Sequence, residues 1–296
     1  MTPNKITEPG LYVMDDEEYF ADPVEGGSLS STGLKRLLEA PAIFRHLEDN
    51  PQPHKRAFDV GHGAHAELLG AGASIVALDF DTYNTKAAKE ARDAAYAAGK
   101  VPLLAKEVAE VKEMVKVLRA DPYAGPIFDG TGVTEQVAIW ADRETGQMCR
   151  AKWDYAKRTA DGRLVVVDYK TTKGAVDKET LGKTLVNYGY HISAAHYRTG
   201  AMTLGLGDEA TSFVLVFQQK EAPYLVTVGY VSARALLWGE VLARSAIDRY
   251  RRAVAADYWP GYEDGIVEID IPNWADFAYE RAHEAGAYTT MEDLAS

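Results

Sequence analysis

Residues 163–172 read Arg-Leu-Val-Val-Val-Asp-Tyr-Lys-Thr-Thr, an apolar run that ends in charged and polar residues. From Leu164 to Val167 it is apolar without alternation, as expected of a strand covered on both faces. Such a strand belongs inside a sheet that has layers above and below it. Asp168 and Lys170 follow directly on the apolar run. Residues two apart on a strand project from the same face. A carboxylate and an ammonium therefore stand together at the rim of a core. A strand emerging into solvent carries such residues too, so the pair alone decides little.

The turns upstream sharpen the reading. Strands are expected over Val133–Ala141, 148–156 and 163–169, separated by turn-forming residues at 142–147 and 160–162. If 160–162 is a three-residue loop, Thr159 faces Arg163, Asp154 lies across from Asp168, and Lys152 lies across from Lys170. If 143–146 is a four-residue loop, Glu135 lies across from Asp154. Three carboxylates then form a row over three adjacent strands, with Cβ atoms about 4.5–5.5 Å apart between neighbours. Like charges so placed are destabilising unless a cation sits among them. Oxygen-rich clusters of this kind suit Mg²⁺ or Mn²⁺. Lys170, on the same face, is placed either to position or help deprotonate a water beside an ion, or to serve as counter-ion to Asp168. A one-residue slip of register would scatter the set.

Residues 58–70, Phe-Asp-Val-Gly-His-Gly-Ala-His-Ala-Glu-Leu-Leu-Gly, read as a helix ending at Gly70. Gly61, Gly63, Ala64 and Ala66 are small enough to let that helix approach other backbone closely. His65 is its candidate metal ligand, although a helical histidine is often only packed or exposed. Two zinc chemistries fail. His65-Ala66-Glu67 matches the H-x-E of zinc deaminases, but the chain has no P-C-x-x-C. His62 and His65 lack the H-E-x-x-H arrangement and an evident third ligand.

The remaining pattern predicts a mixed α/β protein. Residues 1–27 read as irregular. Ser30 or Ser31 caps a helix through Leu34, Leu37 and Leu38 that Pro41 interrupts, and a short helix with Ile43 and Phe44 stops at Pro51 and Pro53. Helices are expected over 84–98, 104–119 and 177–204, the last interrupted near Gly189, and a long one from Ser232 through Arg252. A second strand pair is expected over 213–218 and 224–231. The domain division is an N-terminal irregular and helical extension (1–57), a core (58–256) with a helical insertion at about 84–120, and an acidic C-terminal extension (257–296).

Composition bounds the chemistry. The 296 residues carry one cysteine, Cys149, which excludes an intrachain disulfide, a four-cysteine zinc site and a cysteine-ligated iron–sulfur cluster. No apolar run approaches the ~20 residues that span a bilayer, and acidic residues stand where a signal peptide would be apolar. A reducing cytoplasm is the expected compartment. The net charge of −12 argues against nucleic acid until its distribution is considered. Residues 140–200 hold 11 Lys/Arg against 7 Asp/Glu, whereas residues 253–296 hold one Arg against ten Asp/Glu. A locally basic middle is compatible with DNA.

Taken together, Gly61-x-x-x-His65, Glu135, Asp154, Asp168-Tyr169-Lys170 and Tyr197 resemble the PD-(D/E)xK nuclease superfamily in its RecB-like branch. The likeness is nearest to phage and prophage exodeoxyribonuclease VIII, the RecE-type exonucleases. Leu29-Ser-Ser-Thr-Gly-Leu-Lys35 with Pro41-Ala-Ile-Phe44 resembles that family's N-terminal signature, and Trp259-Pro-Gly-Tyr262 with Ile271-Pro-Asn-Trp274 its C-terminal end. The likeness spans roughly residues 28–275.

The resemblance implies a restriction-endonuclease-like core, a central mixed β-sheet flanked by helices. It implies one or two Mg²⁺ (or Mn²⁺) ions held by His65, Asp154, Asp168 and the backbone carbonyl of Tyr169, with Lys170 as the catalytic lysine and Glu135 as a further contributor. The implied activity is 5′→3′ resection of linear double-stranded DNA ends for phage-type recombination. The implied setting is the cytoplasm of a bacterial host, as a homo-oligomer working with a single-strand annealing protein. The family's Gln-x-x-x-Tyr becomes Ser193-x-x-x-Tyr197 here, and serine reaches less far. Ser193, Tyr197, Arg150, Lys152, Lys173, Lys178 and Lys183 are the candidate DNA contacts. The rival readings are an endonuclease or single-strand nuclease on the same core, and a catalytically silent DNA-binding or assembly module.

Overall fold

The computed structural model describes residues 5–50 and 55–288. The chain divides into two compact units, Met1–Trp259 and Pro260–Ser296. In the first, the elements run β1 (Gly10–Tyr12), α1 (Asp16–Phe20), α2 (Ser31–Glu39), α3 (Pro41–Asp49), α4 (Asp59–Leu69), β2 (Ile75–Leu78), α5 (Lys86–Ala97), β3 (Val101–Leu104) and α6 (Ala105–Ala120). Then follow β4 (Val133–Ala141), β5 (Met148–Arg158), β6 (Leu164–Thr172), α7 (Lys178–Asn187), α8 (Tyr190–Thr203), β7 (Ser212–Gln219), β8 (Val226–Tyr230) and α9 (Ala233–Ala256). The second unit holds α10 (Asn273–Glu284).

Six strands form one sheet in the order β1-β4-β5-β6-β7-β8. All neighbours are antiparallel except β6 and β7, whose parallel pairing follows from the α7–α8 crossover between them. β6 is central and buried on both faces. Leu164 and Val166 enter a core shared with α2, α8 and α9. Val167 and Tyr169 enter a second core shared with α4 and α6. The unbroken apolar run is the signature of this double covering.

Both hairpins close as their turn residues require. Thr159 N donates to Arg163 O at 2.9 Å, and Asp142 N donates to Gln147 O at 2.8 Å. Register follows: Tyr155 pairs with Val167, and Gln136 with Trp153. α7 and α8 break at Gly189, which takes a left-handed φ of 60°. Ser30, Asp177 and Ser232 each cap a helix through the side-chain oxygen, worth about 1 kcal/mol apiece.

Three findings were not expected from sequence. Residues 1–27 are not all irregular, because β1 pairs with β4 and α1 follows it, capped by Asp15. α2 is built into the main core: Leu34 and Leu37 are fully buried there, each stabilising by about 1.5–3 kcal/mol. The region around α5 carries a parallel strand pair, β2 with β3, beside its helices. The helix stop at Pro51 and Pro53 falls outside the described residues. Among those residues, no helix is long and apolar enough to cross a membrane.

Candidate metal centre

α4 delivers His65 by coming very close to the sheet. A Cβ on Gly61 would lie 2.7 Å from Thr171 Oγ1, and one on Gly63 would lie 2.8 Å from Leu103 Cδ1. Only residues without a side chain permit that approach, so the small-residue run sets the depth of the helix. One turn beyond Gly61, the His65 ring stacks on Tyr169 of β6, with centroids 6.2 Å apart.

From there the imidazole spans two carboxylates. Nδ1 lies 3.3 Å from Glu135 Oε1 and Nε2 lies 3.0 Å from Asp154 Oδ2. The donor atoms of His65, Glu135 and Asp154 all fall within 4.8 Å of one another. Burial opposes charge on the ring, but Asp154 and then Glu135 outweigh it and raise the His65 pKa. A ring held between two anions keeps its proton in the absence of a stronger cation.

The register places Asp154 across from Glu135 on one side and Asp168 on the other, yet neither pair joins the ladder. Pairing of β4 with β5 skips from Thr134–Tyr155 to Gln136–Trp153, and Glu135 adopts a φ of 53°. Pairing of β5 with β6 begins only at Tyr155–Val167. In its place the Asp154 carboxylate accepts from Tyr169 N at 2.8 Å. β5 also turns over here: Cys149, Ala151 and Trp153 face one core, and Tyr155 faces the other. Three opposed carboxylates are relieved by breaking the backbone pattern rather than by moving the residues apart.

Asp168 is 4% exposed and accepts from Lys170 Nζ at 2.8 Å. Burial pushes its carboxyl up to about 6 against the pull of Lys170, and a hydrogen bond shared with Asp154 adds to the rise. Asp154 is held below the ordinary carboxylate range despite burial, by His65 and Lys170. Two carboxyl groups in contact do not ionise alike, and here Asp154 gives up its proton more readily than Asp168. Burial disfavours charge on Lys170, but Asp168 and Asp154 hold its proton firmly.

The candidate DNA contacts scatter. Arg150 is buried and binds Ser28 and Asp22, fastening the N-terminal segment to β5. Lys152 does not meet Lys170, because β5 has left the ladder by that point; it is clamped between Asp16 and Glu135. Ser193 is buried on α8. The Tyr197 ring packs edge-on against Phe213, and its hydroxyl reaches Ser31. Lys173, Lys178 and Lys183 are exposed, Lys183 pairing with Glu179. Sequence reading missed Asp16, which lies in the segment read as irregular. It also missed Tyr190, whose ring sits 5.7 Å from Lys170 Nζ; its only signal was adjacency to the helix break.

The donor set fits a divalent ion: one imidazole nitrogen and carboxylate oxygens, partly buried, with an adjoining acidic pair. A search of curated proteins found no match. Among solved structures, a chain from Eubacterium rectale named "Putative exonuclease" superposes with a TM-score of 0.59 at 14% identity, covering 90% of this chain and 98% of that one. The structure of SSO0001 gives a TM-score of 0.37 at 12% identity over 78% of this chain and 81% of that one, too low to carry argument. A family model described as "PDDEXK-like domain of unknown function" matches residues 30–268. With that match, a central six-stranded sheet and an acidic–histidine cluster at its rim, the chain belongs to this family of PDDEXK-like domains (DUF3799), and its core is that of a PDDEXK-like nuclease.

Proposed function

We propose that the protein is a divalent-metal-dependent deoxyribonuclease that degrades linear double-stranded DNA from its ends. The observation that carries this reading is the convergence of His65, Glu135 and Asp154 within 4.8 Å, with the Asp168–Lys170 pair on the next strand. His65, Asp154, Asp168 and the Tyr169 carbonyl would hold Mg²⁺ or Mn²⁺, with Glu135 beside them. When bound, the ion supplies charge to the phosphodiester oxygens and acidifies the attacking water.

The chain's own residues do the positioning. Glu135 is fixed by Lys152, so the outer carboxylate cannot swing into solvent. Tyr169 N fixes Asp154 in the same way. Lys170, held as the ammonium beside Asp168, would donate a hydrogen bond to a water or a phosphate oxygen. The likeness to RecE-type exonucleases supports 5′→3′ polarity, a role in phage-type recombination with an annealing protein, a homo-oligomer and a bacterial cytoplasm. The exposed Lys173 is the candidate phosphate contact beyond the site.

Incubation of end-labelled linear duplex and closed circular duplex with Mg²⁺, with and without chelator, tests the proposal. Release of nucleotides from the linear form alone is expected, and chelator should stop it. Cutting of the circle would assign an endonuclease, and binding without cleavage a silent module. In the same assay Asp168→Asn should lose activity on the order of 10²–10³-fold, the scale of removing one stabiliser of transition-state charge, with its circular dichroism unchanged. Full activity in that variant would refute the role of Asp168.

A further inference from the structure

Lys35 lies on α2 between the buried Leu34 and Leu37, so its backbone is fixed by the core. Its stem crosses the chain at the α7–α8 break. A Cβ on Gly189 would come within 3.2 Å of Lys35 Cδ and Cε. Glycine is needed there for the left-handed turn and also to let the lysine pass. Beyond the crossing, Lys35 Nζ stands 5.4 Å from the centroid of the Tyr190 ring, and Lys170 Nζ stands 5.7 Å from the same centroid.

Two ammonium groups thus share one aromatic ring, and only one of them has a carboxylate. Lys170 is paired with Asp168. Lys35 makes no hydrogen bond or ion pair among the described residues. Burial first, and the charge of Lys170 next, push its pKa down to about 8. Asp168 pulls the other way but from a distance, as its contact is with Lys170. A half-buried cation with no anion in contact costs free energy, and a ligand that brings the anion recovers it. Next to Tyr190, the Tyr188 ring stacks in parallel at 5.6 Å and 13° and is 64% exposed. A cation beside an open aromatic face is the pairing that single nucleic-acid strands bind through phosphate and base.

We propose that Lys35 binds a nonbridging oxygen of the phosphate that neighbours the scissile one on the same DNA strand, with the base between them set against Tyr188. The assignment rests on the nuclease reading and extends it to a second phosphate subsite. That phosphate is either internal to the strand or its terminal one; the chemistry recognised is the same.

Binding of fluorescent single-stranded and frayed duplex oligonucleotides to the full-length protein in chelator, followed by anisotropy across a salt series, tests this without cleavage. Lys35→Met keeps the stem over Gly189 and removes the charge; Lys35→Arg keeps both. The Met variant should bind about tenfold more weakly, with a salt slope lower by about 1, and the Arg variant should stay near wild type. A larger loss on strands ending in phosphate than in hydroxyl places the terminal phosphate at Lys35, and an equal loss places an internal one. Met binding as tightly as wild type, or Arg binding as weakly as Met, overturns the role of Lys35. A wild type that binds DNA but never cleaves it with Mg²⁺ overturns the nuclease reading separately.

Discussion

At Asp154 the backbone gives way so that the side chains can meet. The carboxylate accepts the amide hydrogen that a strand would normally offer to a backbone carbonyl, and Glu135 opposite takes a left-handed φ. The left-handed φ of Glu135 costs free energy of order 1 kcal/mol or more, whereas the amide of Tyr169 keeps a partner in the carboxylate. The opposition of Glu135, Asp154 and Asp168 was legible from loop lengths, since side-chain phase has period two. The turning-over of β5 was not, because nothing in Lys-Trp-Asp-Tyr marks where a strand changes face. His196 shows the other fate of a buried ionisable group. Its ring lies 4.6 Å from Trp140, with Nε2 3.2 Å from Arg150 O, and burial pushes its pKa down to about 4. The unfolded chain therefore takes up a proton near pH 6.5 that the native state refuses until about pH 4, so stability present at pH 7 is lost as pH falls between those values. The loss attributable to this group by pH 4.5 is about 2–3 kcal/mol. Urea titrations at pH 7 and 4.5 should show a smaller drop in His196→Gln than in wild type by about that amount; equal drops would assign the acid sensitivity elsewhere.

Among the elements, legibility follows length and turn chemistry. β4 and the Gly189 break were readable because alternation and a lone glycine leave clear marks. β1, β2 and β3 were not: each has three or four residues, too few to display a period, and β3 contains Pro102. Helix contacts were legible only where small residues cluster, as on α4. The α8–α9 contact depends on one glycine within a long amphipathic helix. A Cβ on Gly239 would sit 2.2 Å from His191 O and 2.8 Å from Ala195 Cβ. In an isolated helix, alanine for glycine stabilises by about 0.5–1 kcal/mol. Here the sign reverses, because backbone cannot yield as a flexible side chain can. Gly239→Ala should lower stability by about 1–3 kcal/mol, read from the urea midpoint at unchanged slope. A gain in stability would mean that α8 and α9 stand farther apart than the structure places them.

For the whole molecule, charge is unevenly divided in a way that bears on DNA. Residues 260–296 contain nine acidic side chains and one arginine, two-thirds of the net charge of −12. Among the described residues, the four apolar clusters are all built from residues up to Trp259, so a chain ending at Trp259 keeps each of them. Its net charge would be −4, and the lysines around the metal centre would act against a weaker opposing field. The effect is long-range, so salt should govern it. At 10 mM ionic strength, where the screening length is about 30 Å, the shortened chain should bind duplex DNA several-fold more tightly than the full chain. At 150 mM, where that length is about 8 Å, the difference should nearly vanish. Anisotropy titrations at both salts measure it. A gain of the same size at both would show that residues 260–296 act by local contact and not through their field, whereas a loss at both would make them part of the DNA-binding surface.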